Sequence, residues 1–222
     1  MIEQSPILVT GIARSGTSMI ARIINCCGAF AGEGATNRKR MFENVLINNG
    51  VVKPYMERMG KDSKGQYPLP IVKDLLIPLS WKEQVEQVIL KEGYESGPWM
   101  YKDTKMSLIW PVWNIAFPNA KWIIVRRRTG DVIQSCLKTG YMTAYAEEAG
   151  WLEWVHEHEK RFVEMIEAGV NCKIIWPERM IHGDLQQLYE VIDWLGLTWK
   201  KEALDFINPQ LWKENQKERR AS

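Results

Sequence analysis

No stretch of the 222-residue chain reaches the roughly 18 consecutive apolar residues that a membrane-spanning helix needs. The opening segment MIEQSPILVTGIARSG has no basic region followed by a long apolar run, so no secretory signal is expected. Cysteine is scarce. Cys26, Cys27, Cys136 and Cys172 make no CxxC and no Cys/His ligand spacing. They read as reduced, mostly buried thiols of a cytoplasmic protein without a metal site. Charge of one sign is lacking as well: 29 Lys and Arg face 27 Asp and Glu, a formal net charge of +2. Bulk binding to nucleic acid or to a membrane surface is therefore not expected, while a local basic pocket for a small polyanion is. HExxH, GxSxG and GxGxxG are all absent. Of the three histidines, His156 and His158 lie two apart on a helical stretch and read as surface residues. His182 receives no role.

What is present is ordinary in bulk and informative in detail. Apolar residues make up 45% and charged residues 25%, which suits one globular domain over 1–222. No internal repeat or low-complexity linker divides it. Eleven tryptophans are many for this length and read mostly as core packing. No feature speaks to oligomeric state.

Short apolar runs alternate with helical patterns. Strands are expected at Pro6–Thr10, Trp99–Lys102, Lys121–Val125 and Cys172–Trp176. Helices are expected from Met19 to near Gly28, from a Ser80-to-Glu83 capping box to about Lys91, and over Val132–Lys138. Two more are expected over Trp151–Ala168 and Asp184–Leu195, the last capped by Asp184 and stopped by Gly196. Residues 32–75 read as a lid or acceptor region with short helices, and 213–222 as a frayed tail. Strands without polar alternation, separated by helices, predict an α/β fold: a P-loop-like three-layer arrangement with a mainly parallel central sheet covered by helices.

Two loops carry the chemistry. Gly11-Ile12-Ala13-Arg14-Ser15-Gly16-Thr17-Ser18 has P-loop glycine spacing between a strand and a helix, with Thr17 where the lysine belongs. Such a loop aims backbone N–H groups and a helix N-terminus at one point, an anion site by geometry and dipole. Arg14 supplies a cation, but the γ-phosphate clamp of a phosphotransferase is missing. The second loop, Arg126-Arg127-Arg128-Thr129-Gly130-Asp131, follows the Lys121–Val125 strand, with Ser135 on the helix beyond. The C-terminal edge of an open sheet is where ligands bind, and an arginine fork there suits a phosphate.

Together these motifs resemble the sulfotransferases that use 3′-phosphoadenosine-5′-phosphosulfate (PAPS). That family binds the 5′-phosphosulfate with RSGT followed by Ser or Thr, and this chain has Arg14, Ser15, Gly16, Thr17 and Ser18. Its second signature, a strand, an arginine and a serine eight residues on, holds the 3′-phosphate. Arg127 and Ser135 have this spacing, Thr129 replaces the usual proline, and Arg126 and Arg128 leave the register open by one. Tyr101-Lys102-Asp103, Met41-Phe42-Glu43-Asn44 and Ile192-to-Leu197 resemble weaker family segments. The resemblance implies a sulfuryl transfer from PAPS, without metal, to a hydroxyl or amine of a small-molecule or carbohydrate acceptor. It implies Arg14 and Lys102 as the catalytic cations. It also implies a histidine or glutamate as proton acceptor. No histidine precedes His156, which leaves Glu33 in Ala31-Gly32-Glu33-Gly34, ranked first, and Glu43, ranked second. The competing readings are a nucleotide or small-molecule kinase with a degenerate P-loop and a non-catalytic nucleotide-binding module. The basic runs Arg38-Lys39-Arg40 and Arg219-Arg220 read as solvated faces.

Overall fold

The computed structural model describes residues 2–37 and 41–209, so both basic runs and the 213–222 tail lie outside the described residues. Four strands form one sheet in the order β2-β1-β3-β4: β1 Ile7–Gly11, β2 Met100–Lys102, β3 Lys121–Val125 and β4 Cys172–Ile175. Every pairing is parallel, with Ile7 opposite Met100 and Lys121, and Gly11 opposite Val125.

The sheet is buried on both faces because each strand alternates between two apolar layers. Ile7, Val9, Ile123 and Val125 face one core with α1 (Thr17–Cys26) and α10 (Gln186–Leu195). Leu8, Tyr101, Trp122 and Ile124 face the other. That second layer holds α5 (Trp81–Lys91), α6 (Trp110–Ala116), α7 (Thr129–Leu137) and α8 (Glu148–Glu167). Trp81, Trp99, Trp113, Trp122 and Trp151 are fully buried there, so these indoles are packing rather than ligand platforms. The α/β three-layer expectation holds.

Four local expectations need correction. The chain between α2 (Glu33–Thr36) and α5 is more helical than its Gly, Asn and Pro content suggests. Helix α3 (Val45–Ile47) runs through a π-helical turn, Asn48–Val52, into α4 (Lys53–Arg58) without a break. Pro54 comes just after the π-helical segment, whose irregular bonding accommodates a residue without an N–H. Ser80 does not form a capping box, since its Oγ accepts Gln84 Nε2 at 2.7 Å instead. Helix α7 begins at Thr129, because Asp131 and Val132 N–H already reach Arg128 O at 3.0 and 3.1 Å. The N-cap of α10 is Leu185, while Asp184 is partly exposed and pairs with Arg179, a hydrogen bond that holds its carboxyl below the usual range.

His158 is the fifth departure. It is 1% exposed, not a surface residue, because it falls on the same α8 stripe as Trp151, Trp154, Val155, Phe162 and Met165. Helix α9 (Pro177–Ile181) follows β4 and carries Glu178 toward the second loop.

Candidate active site

The sheet order creates the site. Helix α1 leaves β1 onto one face and α7 leaves β3 onto the other, so the chain opens a crevice between the C-terminal ends of these neighbouring strands. Gly11 is there because a Cβ would lie 2.3 Å from Val125 O. Beyond it Arg14 and Gly16 take left-handed φ values of 73° and 96°, and Ser15 N–H donates back to Ile12 O at 3.1 Å. The turn delivers the chain into α1 at Thr17; Met19 and Ile20 N–H turn back to Gly16 O at 3.0 and 3.3 Å, and the amides ahead of them sit at the helix's positive dipole end.

The two sequence motifs are joined directly. Arg14 Nε donates to Ser135 Oγ at 2.9 Å, and Arg127 Nη1 donates to Arg14 O at 3.0 Å. Ser135 and Arg127 are buried, and Arg127 Nε lies 3.9 Å from Glu178 Oε1. Its neighbours are engaged elsewhere. Arg126 pairs with Glu159 and lies 5.0 Å over the Trp176 ring, while Arg128 is exposed and gives its backbone N–H to Glu178 Oε1 at 3.1 Å. Burial pushes the nearby Cys136 thiol up to about 12, although Arg14 and Arg127 pull it down, so it stays protonated at neutral pH.

A second cluster forms where β2 ends. Lys102 Nζ donates to Glu43 Oε1 at 2.8 Å and to Met41 O at 3.1 Å. Ser18 Oγ, from the anion loop, donates to the same Met41 O at 2.7 Å. Asn48 Nδ2 donates to Glu43 Oε2 at 2.9 Å. Lys102 and Glu43 are both buried, and each offsets the cost of burying the other. Glu33 is placed differently: it is exposed at the start of α2. The structure thus brings Arg14, Ser135 and Arg127 together, links Ser18 to Lys102 and Glu43, and leaves Glu33 at the surface.

The sequence reading passed over Lys105. Its ammonium lies 2.8 Å from Asp103 Oδ1, and Tyr101 OH donates to Asp103 Oδ2 at 2.9 Å. Burial opposes the charge on Lys105, but Asp103 and Glu43 raise its pKa above the usual value. Burial and the same two carboxylates push Tyr101 well up. The i,i+2 spacing of Asp103 and Lys105 was the available signal. A cavity of about 560 Å³ beside α7 is lined by Arg128, Asp131, Gln134 and Glu148, and its carboxylates suit a polyanion poorly. Among the described residues no His/Cys/Asp/Glu group could hold a metal ion. No helix is long and apolar enough to cross a membrane, again among the described residues.

No protein-family model matches the chain. A Caenorhabditis briggsae protein named "Putative protein-tyrosine sulfotransferase" is 24% identical over 125 residues, which is 54% of this chain. The match spans 44% of that protein, less than half its length. Solved structures match over nearly the whole chain. Sulfotransferase STF1 from Mycobacterium tuberculosis aligns with a TM-score of 0.50 at 13% identity, covering 97% of this chain and 76% of that one. Sulfotransferase STF9 from Mycobacterium avium gives 0.53 at 15%, covering 94% and 67%. The sulfotransferase domain of the Synechococcus PCC 7002 olefin synthase gives 0.53 at 14%, covering 92% and 77%. The chain has the sulfotransferase fold. In this chain the β1–α1 loop and the β3–α7 loop flank one crevice, where Arg14 meets Ser135 and Arg127.

Proposed function

We propose that the protein transfers a sulfuryl group from PAPS to a hydroxyl or amine acceptor and releases adenosine 3′,5′-bisphosphate. The observation that carries this reading is the contact between the two anion elements. Arg14 on the lysine-free P-loop bonds Ser135, and Arg127 bonds Arg14, so the two candidate anion loops meet within a side chain's length. A donor with groups at both its 5′ and 3′ positions uses both. A γ-phosphate donor uses one and lacks its lysine.

The acceptor oxygen attacks sulfur in line, forming an O–S bond as the bond from sulfur to the 5′-phosphate oxygen breaks. Negative charge grows on that leaving oxygen. Arg14, Lys102 and the amides of Gly16, Thr17 and Ser18 are the donors that meet it, and fixed donors there lower the barrier. The acceptor proton goes to a carboxylate within hydrogen-bond reach. We give that role to Glu43 rather than Glu33, reversing the sequence ranking; it is supported by the contact of Glu43 with Lys102, the Met41 segment it shares with Ser18, and the exposure of Glu33. The acceptor is a small molecule or carbohydrate. The name of the nematode relative adds a tyrosine hydroxyl to the panel worth testing.

The protein should bind adenosine 3′,5′-bisphosphate at least about tenfold tighter than ATP without magnesium, a difference of about 1.4 kcal/mol. Titration calorimetry with both nucleotides measures this. Equal affinities, or a strict magnesium requirement, would favour a kinase. Mass spectrometry after incubation with PAPS and an acceptor panel tests the transfer itself, as a gain of one sulfuryl group.

The register of the arginines has its own test. Arg127→Ala should weaken binding of the 3′-phosphorylated nucleotide by roughly 1.5–3 kcal/mol, with little effect on its 3′-dephospho analogue. Arg126→Ala and Arg128→Ala should bind both like the parent, since those side chains point to Glu159 and to solvent. If all three variants bind both nucleotides normally, this loop is not the 3′-phosphate site.

A further inference from the structure

The turn Ala31-Gly32-Glu33-Gly34 stands out in the sequence for its glutamate, yet Glu33 is exposed and the structure uses the glycines. Glu92, the residue closing α5, presses its carboxylate into this turn. Gly34 N–H donates to Oε1 at 2.7 Å, and Asn44 Nδ2 donates to Oε2. A Cβ on Gly32 would lie 2.1 Å from Oε2, and one on Gly34 2.7 Å from Oε1, so only glycine lets this backbone close on the carboxylate. Asn44 cannot reverse its amide. Its Oδ1 caps α3 by accepting Leu46 and Ile47 N–H at 3.1 and 3.2 Å, which leaves Nδ2 for Glu92 and for Ala31 O at 3.3 Å. A carboxylate at a helix C-terminus is disfavoured by the helix dipole, and α5 carries one there.

Glu43 immediately precedes Asn44. On its other side Phe42 has a φ of 48°, costly for a bulky residue, and its buried ring lies 4.9 Å from the Arg22 guanidinium of α1. Both neighbours of Glu43 are therefore anchored to different elements, one to α1 and one to the end of α5.

We infer that Glu92 is a positioning residue: through Asn44 it fixes the backbone from which Glu43 reaches Lys102. The inference rests on Glu43 as the proton acceptor of the proposed transfer. A strained segment tied down on both sides is what a group needing placement to a fraction of an ångström requires, since a 1 Å error can cost about a hundredfold in rate.

Two single variants attack the clamp in different ways. Glu92→Gln leaves a side chain with one acceptor atom for two donors. Gly34→Ala keeps the carboxylate but drives it off the turn, and Gly34 has no left-handed φ to add strain. Each should lower kcat about tenfold to a hundredfold, with the KM for PAPS and the affinity for adenosine 3′,5′-bisphosphate within about twofold of the parent. Combining Glu92→Gln with Asn44→Asp restores a donor facing an acceptor while Asp still caps α3; it gives up the 3.3 Å bond to Ala31 O, so it should recover part of the lost kcat. Kinetics are run well below the melting temperature of each variant. If both single variants keep the parental kcat, or lose it only in proportion to the unfolded fraction, Glu92 merely braces the fold and the inference fails. If Glu43→Gln itself turns over like the parent, the proton-acceptor reading is what fails.

Discussion

Glu43→Gln should lower turnover at least about a hundredfold while leaving the affinity for adenosine 3′,5′-bisphosphate nearly unchanged, because a general base contributes typically about 10²–10⁴ in rate. The substitution keeps the length of the side chain and its bonds to Lys102 Nζ and Asn48 Nδ2 can partly persist, but the amide cannot take a proton. It also leaves the buried Lys102 ammonium facing a neutral partner, so a melting curve must accompany the kinetics. Glu43→Asp keeps the charge on a shorter arm and should fall between the two. Glu33→Gln should turn over like the parent, since that side chain is exposed at the start of α2. Steady-state rates with PAPS and one working acceptor decide the matter. A dead Glu33→Gln beside an active Glu43→Gln reverses the assignment, and two active variants place the base elsewhere.

The architecture was readable because parallel strands buried on both faces are short apolar runs; Pro6–Thr10 and Lys121–Val125 read that way, and the strands fall at Ile7–Gly11 and Lys121–Val125. The anion loops were readable for a related reason. Glycine spacing and an arginine after a strand are local signals, and the sheet order then places both loops at one edge. The contacts that join them were not readable. Arg14 and Ser135 are 121 residues apart, and Glu92 and Asn44 are 48 apart, so nothing local marks either pair. Composition misled in the stretch around Val45–Ile47, where Asn44 is a helix cap rather than a loop residue and Pro54 is absorbed by a π-helical turn. His158 was misplaced by attending to its distance from His156. The stronger signal was its place on an apolar stripe with Trp151, Trp154, Val155 and Phe162.

That buried histidine should make the protein acid-sensitive. Burial, with Arg161 nearby adding to it, lowers the His158 pKa from 6.5 to about 3. The hydrogen bonds explain why a charge is not tolerated. Ser107 Oγ lies 3.0 Å from Thr104 O, which can only accept, so we assign its proton there and the proton of the 3.1 Å contact to His158 Nδ1. Nε2 then holds a lone pair with no partner among the described residues, and protonating it would bury a cation with nothing to receive its N–H. A base whose folded pKa is depressed lends stability that is complete above its unfolded value and lost as pH falls through the window down to the folded value. Here the loss begins below about pH 6.5, runs at about 1.4 kcal/mol per pH unit, reaches about 2 kcal/mol at pH 5, and levels off below about 3. The damage would reach the anion loop, because Ser107 N–H also donates to Thr10 Oγ1 at 3.2 Å, one residue before Gly11. Urea unfolding of the parent and of His158→Gln at pH 7.5 and pH 5 isolates this from the carboxylates that titrate in the same range. The variant should be less stable at pH 7.5 by about 1 kcal/mol for the lost hydrogen bond. It should then lose about 2 kcal/mol less than the parent on going to pH 5. Equal losses in the two proteins would mean that His158 is not held neutral by its burial.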